Sequence, residues 1–380
     1  MSLPRFLQLS TLTTFPASLL NRDDSGLAKR LPFGPCTRTR VSSQCLKRHW
    51  RLADDPFALR KAMDGMECAV RSRRIFLERI EKPLQEEGLD RAAVEKASDE
   101  LQKWLYGGKD SSGDGRVRSE VVVLGEPEIR FLREKLRERI ALAPPQPDKW
   151  WKDQREELTA LTWGAGVDAA MFGRFVSGEA EARVSAAVHV AHAFTVHAEA
   201  SETDYFTATD DLQELGSGHI NAAELASGIF YCYVVIDVPQ LVSNLCGLPA
   251  ADWLQADREA PAAVVRNFTR LLCTVSPGAK LGSTAPYARA WLVLAEAGES
   301  QPRTLADAFL TPVPAQGDMR LAAAQALAKT LENYDKMYGQ ETDRYLACLP
   351  QVGDIPVPGA QRLSLPDVAE TLARRVREGA

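Results

Sequence analysis

The chain has 380 residues and a formal net charge of −5 at pH 7, with 45% hydrophobic and 26% charged residues. This composition matches an ordinary globular protein with a sizeable core, and the negative balance argues against a uniformly basic nucleic-acid binder. No apolar run approaches the roughly 18–20 residues needed to cross a bilayer, so no membrane segment is predicted. The seven cysteines are odd in number and form no CxxC pair, which argues against a disulfide framework or a zinc site and favours a cytoplasmic location.

Positive charge is concentrated at the amino-terminal end of the chain. Residues 1–51 contain nine Lys and Arg against Asp23 and Asp24, a local balance of +7, so the remaining residues sum to −12. Such an asymmetry indicates one cationic surface on an otherwise acidic body.

The first predicted elements are a strand at about 5–13, a polar and basic loop at 20–41, and a helix that ends at about residue 52. Either Ser42 or Ser43 can cap this helix at its start. Leu46 and Trp50 lie four residues apart and give the helix one apolar face.

The stretch 37–51 has a composition that suits a polyanion. It places five cations beside Ser42, Ser43 and Gln44; these cations are Arg38, Arg40, Lys47, Arg48 and Arg51. Arg and Lys neutralise phosphates, while Ser and Gln donate hydrogen bonds to phosphate and sugar oxygens. The helix N-terminus adds a partial positive charge and free amides. The stretch therefore predicts a site for a nucleic-acid backbone, held without reading its sequence.

The middle of the chain is predicted to be helical and is interpreted as an insertion. Amphipathic runs lie at 56–80, 84–106 and 127–142, the segment 107–115 is a flexible loop, and a further helix begins at about residue 149.

Beyond Gly164 the pattern becomes strand-like at 184–194 and 228–236, with a polar stretch of about thirty residues, 198–227, between the two strands. A connection of this length favours a functional excursion, because structureless loops beyond about 12–15 residues are uncommon. Further helices are predicted near 239–246, 259–275, 319–337 and 365–378, and a strand near 287–296. Helices mixed with an antiparallel sheet predict an α+β protein.

Four motifs, in this order along the chain, together resemble one protein family. They are NRDD at 21–24, RVSSQCLKR at 40–48, DYFTATDDLQ at 204–213 and SGIFY at 227–231. In these motifs the chain closely resembles the CasC family, the repeated backbone subunit of Cascade, the type I-E CRISPR surveillance complex. The resemblance covers most of the chain and is weakest over 56–163 and beyond about residue 300.

The resemblance implies a fold shaped like a right hand. An RRM-like (ferredoxin-like) palm with an antiparallel sheet would be built from residues 1–55 and 164–345, with a helical fingers insertion at 56–163. A thumb hairpin is expected at about 198–228, and a C-terminal segment with a terminal helix at 346–380.

The resemblance also implies a binding function without catalysis and without a cofactor. Several copies would line up along one CRISPR RNA, and each thumb would reach the neighbouring copy and displace a guide base at regular intervals. The other expected partners are target DNA, reached through the guide, the large, small, head and tail subunits of Cascade, and indirectly a recruited nuclease.

Carried over position by position, the family's RNA-backbone contacts fall on Arg22, Ser42, Gln44, Lys47 and Arg51. Arg174 and Phe175 match a short motif whose last residue packs beside the displaced nucleotide. Lys29 is a plausible phosphate contact in the basic loop. Each of these residues has a plainer interpretation as a solvated surface charge or a helix cap.

The polar excursion carries two adjacent aromatic residues, Tyr205 and Phe206, which suit a wedge beside an unstacked base. Stacking of this kind is worth about 1–3 kcal/mol per base and tolerates any sequence, as a guide-binding protein requires. The alternative is that both rings anchor the hairpin to the body. Thr209 is expected to contact the base or the guide–target duplex beside them.

The chain departs from the family pattern at two places. Cys45 replaces the serine that usually follows the Gln, and Leu281-Gly282-Ser283 interrupts the basic run after Lys280. A phosphate contact by Lys280 therefore lacks the second cation that the family places nearby.

Two other functions stay open at this point. Related type III subunits cleave target RNA with a loop aspartate, a role that Asp23 or Asp24 would take here, although no general base or metal cluster lies nearby in sequence. A stand-alone single-stranded RNA-binding module is the second. A metal site at His189, His192 and His197 is disfavoured, because His189 and His192 would point to opposite faces of a strand. No GxxxxGK[ST] or GxSxG motif is present.

Overall fold

The computed structural model describes residues 3–106, 117–142, 147–154, 166–174, 184–209, 217–279 and 281–378, with the backbone alone at 147–148, 206–209 and 217–221. The chain divides into two compact units. The first contains Met1–Ala58, His189–Val238 and Pro261–Ala380, and the second contains Leu59–Val188 and Pro239–Ala260.

The first unit is built on a large, mostly antiparallel sheet. Its main path runs β12-β11-β10-β1-β9-β7-β3-β2, and β6 and β8 also pair with β9. The strands are β1 (Phe6–Ser18), β2 (Arg30–Phe33), β3 (Cys36–Val41), β6 (Val188–Val190), β7 (Ala193–Thr195), β8 (Ser201–Thr209), β9 (Ser217–Asp237), β10 (Ala290–Gly298), β11 (Asp343–Cys348) and β12 (Ala360–Arg362). The pairing of β11 with β12 is parallel.

Strand β1 is central, paired on one side with β9 and on the other with β10. Residues 6–12 are buried on both faces, including the polar Gln8, whose side-chain oxygen accepts a hydrogen bond from Tyr233 Oη at 2.6 Å. A strand covered on both faces must satisfy its polar side chains internally, as Gln8 does.

Helices cover the two faces of this sheet. The helices of the first unit are α1 (Ser43–Leu52), α8 (Glu259–Thr274), the short α9 (Leu281–Thr284), α10 (Met319–Tyr338) and α11 (Leu365–Glu378). Leu327 and Leu331 of α10 join the apolar cluster on one face, which also contains Phe194 and Tyr231. Trp50 of α1 packs edge-on against Phe268 of α8, with ring centroids 5.3 Å apart.

The second unit has its own apolar core. It contains α2 (Lys82–Glu86), α3 (Arg91–Tyr106), α4 (Glu126–Leu142), α5 (Pro147–Asp153), α6 (Val167–Phe172) and the antiparallel pair β4 (Val70–Ser72) and β5 (Val122–Leu124). Helix α7 (Val238–Cys246) begins at the end of the first unit and continues into the second. Buried residues of α3, α4 and α5, among them Leu101, Leu132 and Trp151, form the core.

The predicted α+β class is confirmed as a large, mostly antiparallel sheet with helices, whereas the RRM-like description stays a prediction. The predicted helices near 259–275, 319–337 and 365–378 are confirmed. Among the described residues, no helix is long and apolar enough to cross a membrane.

Two local predictions were wrong. The helix predicted over 56–80 is replaced by a 3-10 turn at Leu59–Lys61, strand β4 and a π-helical turn at Leu77–Glu81. Gly65, at φ +80°, breaks the helical path, and the partner strand β5 holds β4 extended.

The segment predicted as a loop at 20–41 contains the hairpin β2–β3. Its turn places Gly34 at φ +66°, and a Cβ on this residue would lie 1.9 Å from the carbonyl oxygen of Leu310. Only glycine fits such a turn without strain.

Candidate nucleic-acid interface

The start of helix α1 is fixed by side chains from three segments. Ser42 is the N-cap, and its Oγ accepts a hydrogen bond from Cys45 N at 3.3 Å. Ser42 N donates to Asn21 Oδ1 at 2.9 Å, and Ser43 N donates to His192 Nδ1 at 3.2 Å. Ser42 therefore caps the helix, which is one of the two roles predicted for it, and its contact with RNA stays a prediction.

The basic loop folds back onto this helix start. Arg22 and Ala28 form an isolated antiparallel bridge, and Lys29 N donates to Asn21 O at 3.1 Å. Arg40 N donates to Lys29 O at 2.8 Å. These contacts connect the backbone of the loop, strand β3 and helix α1, so residues distant in sequence share one surface. We call this surface the cationic surface and define it by Arg22, Lys29, Arg40, Gln44, Lys47, Arg48 and Arg51.

The side chains of the cationic surface are accessible to different degrees. Arg22, Gln44 and Arg48 are exposed, whereas Lys29, Arg40, Lys47 and Arg51 are half-buried. Nε of Arg40 donates to Arg30 O at 3.1 Å, and its NH1 lies 3.4 Å from His192 Nδ1. The cations thus extend from the basic loop and strand β3 along helix α1, and Arg22 and Arg48 are the most accessible of them.

The pKa values of His192 and of the Cys45 thiol show the effect of the neighbouring cations. The pKa of His192 is lowered from its ordinary 6.5 by burial and then by Arg40 and Lys29. Burial raises the pKa of the Cys45 thiol above 9.0, while Arg48 and Lys29 oppose that rise. Lys29, Arg40 and Arg48 therefore make the electrostatic potential positive at Cys45, in the first turn of α1, and at the adjacent His192. A positive potential favours the binding of an anion there.

Two arginines of the same sequence region do not belong to the cationic surface. Arg38 was counted among the cations of stretch 37–51, but it is fully buried and donates to the carbonyl oxygens of Phe33, Thr195 and Phe309. It holds the hairpin turn against the body and is not accessible to a ligand. Arg30 forms ion pairs with Glu199 and Glu224.

The hairpin predicted at about 198–228 is seen as the antiparallel pair β8–β9, in which Tyr205 lies opposite Ala222 and Phe206 opposite Asn221. The side chain of Tyr205 is 75% exposed. Phe206 and Thr209 lie in β8, and their side chains are outside the described residues. An exposed ring on a strand arm is available to a partner and does not anchor the hairpin.

The base of this hairpin is fastened to the basic loop. Ala28 N donates to Glu224 Oε2 at 2.7 Å, and Glu199 N donates to Thr37 O at 2.9 Å. Burial raises the pKa of Glu224, but hydrogen bonds from Ala28, Ser201 and Arg30 outweigh burial and hold this pKa below its ordinary 4.5. Glu224 is therefore ionised at neutral pH, as the pair with Arg30 requires.

The segment before Lys280 also meets helix α1. His49 Nε2 lies 3.3 Å from both Gly278 N and Gly278 O, and Ala279 N donates to Leu19 O at 2.9 Å. Lys280 itself lies outside the described residues, so its phosphate contact stays a prediction.

Arg174 lies in the second unit. Its side chain is 2% exposed, and its NH1 donates to both carboxylate oxygens of Glu128 at 2.7 and 2.6 Å. In the free chain this guanidinium is part of the interior and is not presented to a ligand. Phe175 lies outside the described residues, so its role beside a displaced nucleotide stays a prediction.

Two of the other titratable candidates, Asp23 and His197, have structural roles. Asp23 Oδ1 accepts hydrogen bonds from Ser25 N at 3.0 Å and Leu27 N at 2.9 Å, which closes the turn of the basic loop. His197 Nε2 accepts from Ile229 N at 3.2 Å, and its pKa is lowered chiefly by burial. Within the described ranges, no group of three or more His, Cys, Asp or Glu is arranged to hold a metal ion.

Two solved structures resemble this chain over nearly its whole length. A chain of a "CRISPR RNA-guided surveillance complex, pre-nicking" has 26% sequence identity and a TM-score of 0.82, covering 98% of this chain and 100% of that chain. A chain of a "CRISPR RNA-guided surveillance complex" has 24% identity and a TM-score of 0.72, covering 97% and 99%; this second likeness concerns the fold alone. No curated protein matches the chain in sequence.

The fold is therefore one shared with chains of RNA-guided CRISPR complexes. Residues 7–372 match the Cas_CT1975 family model, described as CT1975-like protein. Because the match spans nearly the whole sequence, the chain belongs to this family.

Proposed function

We propose that this chain is a backbone subunit of a CRISPR surveillance complex, one that binds the guide RNA along its sugar–phosphate chain. Family membership and the likeness at 26% identity support a Cascade-type CRISPR subunit. The finer assignment, to the CasC family of type I-E Cascade, rests on the four sequence motifs and is part of the proposal.

The observation that carries the proposal is the cationic surface formed by the basic loop, strand β3 and helix α1. Here Arg22 and Arg48 are exposed, and Lys29 and Arg40 both depress the pKa of the neighbouring His192. Such a surface neutralises phosphates and releases their counterions, which gives affinity without dependence on base sequence. A guide-binding protein needs this property, because base pairing with the target supplies the sequence choice.

The hairpin β8–β9 supplies the second part of the proposal. Tyr205 is exposed on β8, and the base of the hairpin is fastened to the basic loop through Glu224. We assign to Tyr205, Phe206 and Thr209 the displacement of a guide base or contact with the guide–target duplex. Copies of the chain would line up on one RNA, in contact with one another and with the large, small, head and tail subunits. Target DNA would be reached through the guide.

The proposed function is binding without catalysis, and cleavage is left to a recruited nuclease. Of the two candidates for RNA cleavage, Asp23 and Asp24, Asp23 accepts two backbone amide hydrogen bonds of its own turn through Oδ1. A general base or metal ligand would need this carboxylate directed at the substrate.

The test is assembly on RNA. The purified chain, mixed with a guide RNA of CRISPR length, is expected to form a multimer on one RNA, measured by size-exclusion chromatography with light scattering. One chain per RNA, whatever the length of the RNA, would instead indicate a stand-alone binding module.

The same assembly tests catalysis. We expect no cleavage of complementary labelled RNA in the presence of Mg²⁺. Cuts at regular spacing that disappear with Asp23→Ala or Asp24→Ala, while RNA binding persists, would reverse the assignment in favour of a type III style nuclease.

A further inference from the structure

We propose that Tyr287 is an additional base-stacking residue, which packs its ring against a nucleobase of the bound RNA near helix α1. The inference rests on the proposed function and deepens it. Tyr287 would contact the face of a base, whereas the cationic surface contacts the sugar–phosphate backbone of the RNA. Neither the composition of stretch 37–51 nor the hairpin points to this residue.

Tyr287 belongs to a loop whose ends are tied together. Ser276 Oγ donates to Ala288 O at 2.7 Å and accepts from Ala288 N at 2.9 Å. We call residues 276–279 and 281–288 the closed loop. Within it, Tyr287 N donates to Ala285 O at 2.7 Å, which makes a tight turn over Pro286. The position of the ring is therefore set by a constrained backbone.

The closed loop is attached to the helix that carries the cations. Gly278 N and Gly278 O both lie 3.3 Å from His49 Nε2, and His49 directly follows Lys47 and Arg48 in α1. A Cβ on Gly278 would lie 2.3 Å from Cγ of Pro286, so these two residues are in close contact. Tyr287 follows Pro286, and consecutive Cα atoms are about 3.8 Å apart. The segment that carries Tyr287 is thus fixed to helix α1 on the side of His49.

Tyr287 is 78% exposed, more than any other large hydrophobic side chain of the described residues. Ala285, two residues before it, has φ +38°, a conformation that costs a non-glycine residue free energy and is kept only where the surrounding structure enforces it. Strain beside an exposed aromatic ring is typical of a ligand-binding loop, since neither feature serves the core of the protein.

A nucleobase is the occupant that fits these surroundings. Arg289, two residues after Tyr287, is also exposed, so an aromatic ring and a cation alternate on this segment. Single-stranded nucleic acids bind to this combination, in which rings stack on bases and cations contact the backbone. An exposed aromatic ring suits an RNA whose bases are unstacked and can pack against it.

The experiment compares variants of the whole chain on two short, fluorescein-labelled RNAs of equal length. One is oligouridine, and the other carries the same sugar–phosphate backbone with abasic sites. We expect Tyr287→Ala to weaken binding of oligouridine by about 5- to 150-fold, the range that one base–aromatic stack contributes. Binding of the abasic RNA should be unchanged, and Tyr287→Phe should bind oligouridine like the wild type.

Tyr338→Ala is the matched control, because Tyr338 is a 60% exposed tyrosine on α10 of the same unit. It should leave both affinities unchanged. A 4-thiouridine crosslink mapped to Tyr287 by mass spectrometry would be an independent positive result.

Two failures are distinguishable. If the wild type binds oligouridine and Tyr287→Ala binds it equally well, or loses the same factor on abasic RNA, stacking by Tyr287 is wrong and the proposed function stands. If the wild type binds neither RNA, the proposed function is wrong and this inference is overturned with it.

Discussion

The protonation of His192 depends on the charge of the cationic surface. Its Nδ1 accepts the Ser43 amide proton, and burial, Arg40 and Lys29 lower its pKa below 6.5. A phosphate bound to Arg40 and Lys29 would offset their charge and make protonation easier. We therefore expect the pKa of His192 to rise when RNA binds, measured by NMR titration of its imidazole signals with and without RNA.

The lowered pKa of His192 also sets the sign of its effect on stability. In the free protein the unfolded state takes up a proton near pH 6.5, before the folded state does, so the free energy of unfolding falls as the pH decreases through this value. His192→Gln should reduce the pH dependence of the free energy of unfolding, measured with denaturant between pH 7 and the folded-state pKa of His192.

For the NMR titration, a pKa of His192 that is the same with and without RNA would show that no phosphate binds beside this residue.

Ser42 allows its two predicted roles to be separated at a single position. Ser42→Ala removes the cap and should lower the free energy of unfolding by about 0.5–2 kcal/mol, measured by urea denaturation. Ser42→Asp keeps a capping oxygen and should retain most of the stability, but it places a negative charge inside the cationic surface. RNA affinity should therefore fall in Ser42→Asp although the fold is intact. Unchanged affinity in this variant would mean that the start of α1 is not at the RNA.

At the scale of elements, the hairpin β8–β9 can be altered without disturbing the sheet. Tyr205 is 75% exposed, and substitutions at exposed positions usually change stability by less than about 0.5 kcal/mol. Changing Tyr205 to Ala should therefore leave thermal unfolding of the isolated chain nearly unchanged, and changing Tyr205 and Phe206 together to Ala should leave the isolated chain folded. It should weaken assembly on RNA or target engagement, measured by size-exclusion chromatography and by binding of labelled DNA. If both assays are unaffected, the two rings have no role in the complex.

The elements also show what sequence patterns resolve and what they do not. Helix α1, its cap at Ser42 and its buried Leu46 and Trp50 follow from local chemistry, so the sequence predicted them. The hairpin β2–β3 was missed because Arg38, Thr39 and Arg40 have the composition of a basic loop. Burial of Arg38 depends on carbonyl groups of Phe33, Thr195 and Phe309, two of them far away in sequence. The exposure of Tyr287 could not be predicted either, because it depends on how the closed loop folds, including the contacts of Gly278 with Pro286 and His49.

At the scale of the whole molecule, the net charge is −5 although residues 1–51 have a local balance of +7. Each backbone cation that contacts a phosphate adds about 0.7 to the slope of log affinity against log salt for a single strand. Lys47→Ala should therefore reduce this slope by about that amount and weaken binding equally for guides of different sequence. Fluorescence anisotropy at several salt concentrations measures both effects.

The control for this measurement is Lys329→Ala, which removes an exposed lysine of α10 that pairs with Glu332. It should leave the slope unchanged. Strong variation of the Lys47→Ala effect from guide to guide would contradict a contact restricted to the backbone.

The ion pairs of Arg30 with Glu199 and Glu224 have a consequence for truncation studies. Excising residues 201–226 would delete Glu224 and leave Arg30 with one carboxylate where it now has two. The shortened chain would lose its protruding arm and at the same time gain positive potential next to Lys29. Its affinity for RNA would then rise electrostatically for a reason unrelated to the hairpin's contacts. Arg30→Gln would offset only the loss of Glu224, because the excised residues also include Glu202, Asp204, Asp210, Asp211 and Glu214.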